Sequence, residues 1–482
     1  MLPQTRFLRS LAYVPTLLPF ALAASAQVPP VPVPVENPIT EEKRILGKIL
    51  FWEEQLSTDN TTACGTCHLP TSGGSDPRNA THPGFDGTFL TADDVFGSLG
   101  VRRANAINVH IADPLFGFEI QVTGRSAPSF FGALFAPDLF WDGRASSSFT
   151  DPQTGGVSIA SGGALESQAV GPIVSDSEMA HENRSWDQVV SKLEGAAPMA
   201  LASDLPADVA AALSAAPDYP SLFAVAFGDS TITAERIAFS IATYERTLVA
   251  DQTPWDLFQG GDAAALTAAQ QAGWNFFRTS PCAVCHAPPL FTNNTFRNIG
   301  VRPPVEDTGR QTVTGVPTDR GRFKVPSLRN AGQKPSFMHN GRISTLAQVL
   351  DFYQGINGQV MFPQNVDPLV AGGIPVPLNL RPAVIDFLAN GLLDPRVAAG
   401  TAPFDRPTLR GGQGLCDDGL DNDGDGQVDM ADPECGEPTD SYEGVACGLG
   451  FEVVPFLVGL SVLIRRRRGR SVTGPRGPQP RL

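Results

Sequence analysis

The pattern Cys-x-x-Cys-His occurs twice in the chain, as Cys64, Cys67 and His68 and again as Cys282, Cys285 and His286. Three chemistries use cysteines at this spacing: a zinc site, dithiol exchange, and covalent attachment of a haem. A structural zinc site draws four ligands from knuckles close in sequence, whereas these two pairs lie more than two hundred residues apart. A thioredoxin-like pair belongs to a βαβ pattern, and no such pattern surrounds either motif. Covalent haem accounts for all the positions. Both thiols add across the vinyl groups on one edge of the macrocycle, and the adjoining histidine reaches the iron. A helical spacing of apolar residues leads into each motif, over 45–68 and over 264–286, so the chain is expected to repeat one unit and form two similar domains.

At 482 residues with 42% apolar content, the chain is long enough for two folded cores and their appendages. Residues 1–26 read as a secretory signal, with Arg6 and Arg9 ahead of "LAYVPTLLPFALA" and the small-residue pattern "ASA" before Gln27. Export agrees with haem attachment of this kind, which takes place outside the cytoplasm. A proline-rich linker covers 27–38. A formal charge of −15 excludes a nucleic-acid partner, which would require a basic face. Helices are expected from about Ser185, Pro206, Asp218 and Thr233. In the last of these, Ile237, Ile241, Tyr244 and Leu248 line one face. "TEEKRILGKILFWEE" and "DAAALTAAQQAGWNFFR" supply the helices before the two motifs, and "ISTLAQVLDFYQG" and "RPAVIDFLANGLL" close the folded part. The stretch 70–125 reads as a long loop. With no alternating strand run of useful length, the expected class is all-α.

Beyond the two motifs, "LFWDGRA" at 139–145, "QAVGPIVSDSEM" at 168–179, "DRGRFKVPSLRN" at 319–330, "FMHNG" at 337–341 and "TLAQVLDFYQG" at 345–355 follow in order. Over roughly residues 39–395 the chain strongly resembles the bacterial di-haem cytochrome c peroxidase and MauG family. The resemblance implies two cytochrome c-like domains, here 39–250 and 251–395, each with one covalently bound c-type haem. It makes the haem on Cys64, Cys67 and His68 the one that meets hydrogen peroxide, and the haem on Cys282, Cys285 and His286 the one that passes or stores electrons. Trp141 matches the tryptophan between the haems. Gln168, Pro172 and Glu178 match the pocket beside the open iron, where a carboxylate can move a proton between the two peroxide oxygens. Tyr353, fourteen residues after His339, stands where peroxidases that oxidise small cytochromes have methionine and MauG-type members have tyrosine. A phenolate is a harder donor than a thioether and lowers the iron potential.

Several positions depart from the family pattern. The interval between Trp141 and Gln168 is lengthened by "SSSFTDPQTGGVSIASGGALE". Ser280 and Pro281 replace the surface tryptophan before the second motif of MauG, which leaves Trp274 or Trp255 for a route to a protein substrate. Ser126 stands where the family's interdomain calcium takes an asparagine side chain, and His82 reads as a loop histidine rather than a removable ligand of the first haem.

A linker over 396–415 leads to an acidic segment, 416–435, in which Asp421, Asp423, Asp425, Asp429 and Asp432 follow the oxygen-donor spacing of a calcium loop with Gly426 at the turn. Cys416 and Cys435 bracket it and are expected to pair. Residues 446–470 resemble the sorting tails of bacterial surface proteins, with Cys447, an apolar run and a cluster of arginines, which implies anchoring at a membrane or cell surface. Two functions compete at this stage. One is a peroxide-dependent oxidoreductase that takes electrons from a small donor protein or oxidises a partner protein. The other is a non-enzymatic di-haem electron carrier at the cell surface.

Overall fold

The computed structural model describes residues 28–355 and 361–410. The secretory segment 1–26, the acidic loop 416–435 and the tail 446–470 lie outside the described residues.

Helix α1 (Glu41–Phe51) starts at Thr40, whose side chain accepts from the Lys43 backbone N–H, and it buries Leu46, Ile49 and Leu50. It leads to α2 (Cys64–Cys67), a single turn that carries the first motif. Helix α3 is Ala164–Ala169. The helices expected near Ser185, Pro206, Asp218 and Thr233 form as α4 (Trp186–Gly195), α5 (Ala207–Ala215), α6 (Tyr219–Phe227) and α7 (Ala234–Glu245). Ile237, Ile241 and Tyr244 are buried on one face of α7; Leu248, expected on the same face, lies beyond the end of the helix at Glu245 and is buried as well. Helices α8 (Pro254–Gln259) and α9 (Ala268–Phe277) precede the second one-turn motif, α10 (Cys282–Cys285). Then come α11 (Gln311–Thr314), α12 (Leu346–Gln354), α13 (Pro368–Ala371) and α14 (Arg381–Asp386).

One packing device is used twice. Helix α1 crosses α7 at Gly47, where an added Cβ would strike the Ser240 carbonyl. Helix α9 crosses α14 at Gly273, where an added Cβ would strike the Ala383 carbonyl. In each half, a helix ahead of the cysteine motif therefore meets a later helix backbone to backbone. Two large clusters of buried side chains result. One forms around Ile49, Trp52, Ile237 and Tyr244, and the other around Trp255, Trp274, Phe277 and Phe387. The described part of the expected linker from 396 packs against the first cluster through Val397, Phe404 and Leu409, and Asp405 pairs with buried Lys48 at 2.8 Å.

The all-α expectation is overturned. Only 35% of the described residues are helical, and they hold three small antiparallel sheets. The supposed loop 70–125 contains β1 (Asn79–His82), β2 (Val95–Arg102) and β3 (Ile120–Val122). The interval after Trp141 forms the hairpin β4 (Phe149–Thr150) and β5 (Val157–Ile159), and β6 (Phe296–Arg297) pairs with β7 (Phe323–Lys324). Most of these strands are too short to show alternation. The longest, β2, has its pattern broken by Gly97 and Gly100. Gly100 is there because the Ser177 carbonyl lies where its Cβ would be, and Gly97 makes the same close approach to the Arg125 backbone. The sheet thus supports the turn over 175–179 that carries Glu178, and Gln121 Nε2 adds a 2.9 Å bond to the Asp176 carbonyl.

The β4–β5 hairpin is a built part of the core. Phe149 and Ile159 are fully buried, and the chain then presents Glu166 to Arg246 in a bidentate pair of 2.7 and 3.0 Å with both side chains inaccessible. Asn37 Nδ2 completes the Glu166 carboxylate at 2.8 Å. Removing one partner strands the other charge in the interior. Glu166→Ala is expected to lower unfolding stability by about 3–5 kcal/mol, read from the urea midpoint; a loss below about 1 kcal/mol would contradict the role given to this pair.

Candidate active site

The first motif opens on a cavity of about 600 Å³ lined by Cys64 and Cys67 of α2 and by His68, which follows it. Burial pushes both thiols up, Cys64 to about 12. The two cysteines are unpaired, as are Cys282 and Cys285. His68 Nδ1 faces the Gly74 carbonyl at 3.3 Å, and burial lowers the imidazole's pKa, so the ring is neutral. A proton held on Nδ1 leaves Nε2 as a lone-pair donor, which is what an iron ligand needs. His286 is set up in the same way, with Nδ1 at 3.2 Å from the Phe291 carbonyl and 3.1 Å from that of Pro326, and with its pKa lowered by burial. Two half-buried neutral imidazoles, each next to two unpaired thiols on a cavity wall, fit haem attachment at both motifs.

Gln168, Pro172 and Glu178 all line the first cavity with His68. Gln168 comes from the end of α3 and Glu178 from the turn held by β2. Burial raises the Glu178 pKa, and Arg144 opposes this from 4.0 Å. Arg144 itself lies over the Phe140 ring at 3.6 Å and bonds Asp142 at 3.2 Å.

Trp141 lines the first cavity, the second cavity and a smaller one between them. Its loop is closed by Leu139 N–H donating to the Ala145 carbonyl at 2.8 Å, with Phe140 and Gly143 both in the left-handed region. Gly143 has no room for a side chain because Arg310 and Phe296 press against it. The indole Nε1 donates to the Ser126 carbonyl at 2.7 Å, and Ser126 N–H donates to the His339 carbonyl at 2.8 Å. Both backbone groups of Ser126 are therefore engaged within the protein. Arg125 pairs with Asp142 at 2.7 Å and, bidentately, with Asp307 at 2.7 and 2.8 Å.

The second cavity is lined by Cys282, Cys285, His286, Met338, His339 and Tyr353. Burial pushes the Tyr353 phenol above its ordinary range and His339 down to about 4, and His339 stacks on Phe323 with ring centres 3.7 Å apart. Trp255 and Trp274 are buried in the second core, edge to face at 5.5 Å. His82 is held in β1, paired with Val95 and edge-on to Phe116, and does not line the first cavity. Arg144, Met338, Lys324 and Lys334 reach these cavities without having been singled out from sequence. Each sits beside a recognised motif, but only the fold shows which way it points.

The family model described as di-haem cytochrome c peroxidase matches residues 41–264. The methylamine utilization protein MauG of Methylorubrum extorquens is 31% identical over 67% of this chain and 71% of its own. The cytochrome c peroxidase Ccp of Escherichia coli is 28% identical over 70% of this chain and 59% of its own. The chain belongs to the di-haem cytochrome c peroxidase and MauG family. It carries two covalently bound c-type haems. A MauG-like protein associated with microbial copper homeostasis has the same fold, with a TM-score of 0.54 and 22% identity over 80% of this chain and 98% of that one. So does the diheme peroxidase BthA from Burkholderia thailandensis, at 0.51 and 18% over 77% and 91%. Replacing Cys282 and Cys285 together by alanine is expected to lower the pyridine haemochrome content from two haems per chain to one, with the first retained; undiminished content would refute attachment at that motif.

Proposed function

We propose that the chain reduces hydrogen peroxide at its first haem and draws the electrons through Trp141 from the second haem. The source of those electrons is a small donor protein or an oxidisable side chain of a partner protein. The chain is a peroxide-dependent di-haem oxidoreductase. The observation that carries the finer assignment is that one cavity holds His68, Gln168 and Glu178 together, while Trp141 walls both it and the second cavity. The first haem supplies the iron at which peroxide binds and is reduced. Glu178 takes the proton from one peroxide oxygen and returns it to the oxygen that departs as water. Gln168 offers an amide donor and acceptor to orient the peroxide, and Pro172 narrows the wall beside it. Two electrons and two further protons complete the conversion to two waters. Trp141 is fixed through its N–H and lies with ring centres 6.5 Å from His339, so its ring stays in register between the two sites.

Tyr353 is the proposed second ligand of the second iron and favours the MauG-type variant, in which the electron source is a partner protein. Its phenol is held protonated by burial in the protein alone, and the charge of a ferric iron acts against that. Met338 lines the same cavity, so the two are separated by substitution. Tyr353→Met is expected to raise the midpoint potential of the second haem while Met338→Leu leaves it unmoved; the reverse result would give the position to Met338. Haem attachment of this type supports work outside the cytoplasm. Among the described residues no single helix is long and apolar enough to cross a membrane.

Glu178 acts as a base only when ionised, and burial has raised its pKa. The peroxide reaction is therefore expected to slow as pH falls through a point above the ordinary glutamate range. Glu178→Gln should slow the reaction by about 10²-fold or more and abolish that acid limb, in stopped-flow mixing followed at the haem absorbance. An unchanged rate with the limb intact would remove Glu178 from the reaction.

A further inference from the structure

The second cavity has four cationic side chains in its wall: Arg297, Arg302, Lys324 and Lys334. The two guanidinium groups are already neutralised, Arg297 by Asp367 at 2.8 Å and Arg302 by Glu306 at 2.7 Å. The two ammonium groups are not. Lys324 Nζ donates to the Asn294 side-chain oxygen at 3.1 Å, a neutral acceptor. The one carboxylate that bears on it, Asp138, is held by Arg310 at 3.0 Å. Among the described residues, Lys334 has no carboxylate partner, and burial alone sets its charge balance. Both are pushed down to about 8, the expected response of an ammonium group withdrawn from water without an anion beside it. Both lysines are half-buried, and a charge held even partly out of water without a partner is costly unless something neutralises it.

Neither lysine sits at random. Lys324 follows Phe323, which stacks on His339, and its backbone N–H donates to the Trp141 carbonyl at 2.8 Å. It also lines the small cavity that reaches His68. Lys334 folds its stem against Gly73, five residues past His68. The two ammonium groups thus belong to the wall of the second cavity on the side where the first motif approaches. A haem brings two carboxylate side chains with it, the anions this wall lacks.

We infer that Lys324 and Lys334 are the counter-cations of the second haem's propionate carboxylates, and that they hold the electron-passing haem on the side where Trp141 and the first site lie. The lysines are positioning residues and take no part in the chemical step. A fixed cation beside a haem favours the reduced, less positive state, so its removal lowers the midpoint potential.

The test is a spectroelectrochemical titration of the holoprotein as Lys324→Met, Lys334→Met, Lys324→Arg and Lys334→Arg, with haem content measured alongside. Each methionine variant is expected to lower the midpoint potential of one haem and leave the other in place, and each arginine variant to keep the native value. Methionine variants that lose the second haem while their arginine counterparts retain it would support the inference equally. Potentials unmoved by methionine, or moved as far by arginine, would overturn it. Wild-type protein without haem absorbance would sink the haem assignment and this inference together, whereas loaded variants with unmoved potentials sink the inference alone.

Discussion

The hydrogen bond from Trp141 Nε1 to the Ser126 carbonyl is the contact on which the rest of the arrangement depends. It fixes one indole in the partition between two cavities, and the same serine passes the constraint on through its N–H to the His339 carbonyl. Three arginines secure the surroundings. Arg310 clamps the carbonyls of Asp142 and Gly143, Arg125 ties Asp142 to Asp307, and Arg144 reaches from Asp142 toward Glu178. A side chain that relays charge must keep its distance to both sites, and a partly buried ion-pair network gives more rigidity than isolated surface pairs.

The two sites share one plan and differ in their walls. Each has a one-turn helix of two cysteines, a neutral histidine whose Nδ1 faces a backbone carbonyl, and a preceding helix that crosses its neighbour at a glycine. The first cavity adds an amide and a carboxyl group whose proton affinity is raised by burial. The second adds a phenol, a thioether and a stacked histidine. In the proposed function the first set handles the proton of hydrogen peroxide. The second set can ligate an iron on its remaining face. The sheet that a helical reading overlooks is part of this difference, because β2 and Gln121 hold the turn that presents Glu178.

Much of this was legible before any fold was known. Cys-x-x-Cys-His states its chemistry in five residues, and caps such as Thr233 and Ser185 with their apolar periodicity placed helices to within a residue or two at their starts. The helix at Thr233 ends at Glu245, short of Leu248 on the expected face, since no sequence signal marks where tertiary packing stops a helix. Short strands interrupted by glycine escaped notice because Gly97 and Gly100 answer to the backbone of a distant segment, which no local pattern reports. The hairpin at 149–159 read only as a lengthened interval between Trp141 and Gln168, yet its Phe149 and Ile159 are core residues, and the chain after it delivers Glu166 to Arg246. The lysines of the junction were invisible for a similar reason. Lys324 and Lys334 are ordinary in sequence, and only the fold shows that, among the described residues, no carboxylate pairs with either.

The central claim is an asymmetry: two irons, each on a histidine, of which one keeps a face free for peroxide and the other is closed by a second protein ligand. Low-temperature electron paramagnetic resonance of the fully oxidised protein reads this directly. The account predicts one high-spin ferric signal that vanishes on addition of peroxide beside one low-spin signal; two low-spin signals, both indifferent to peroxide, would contradict it.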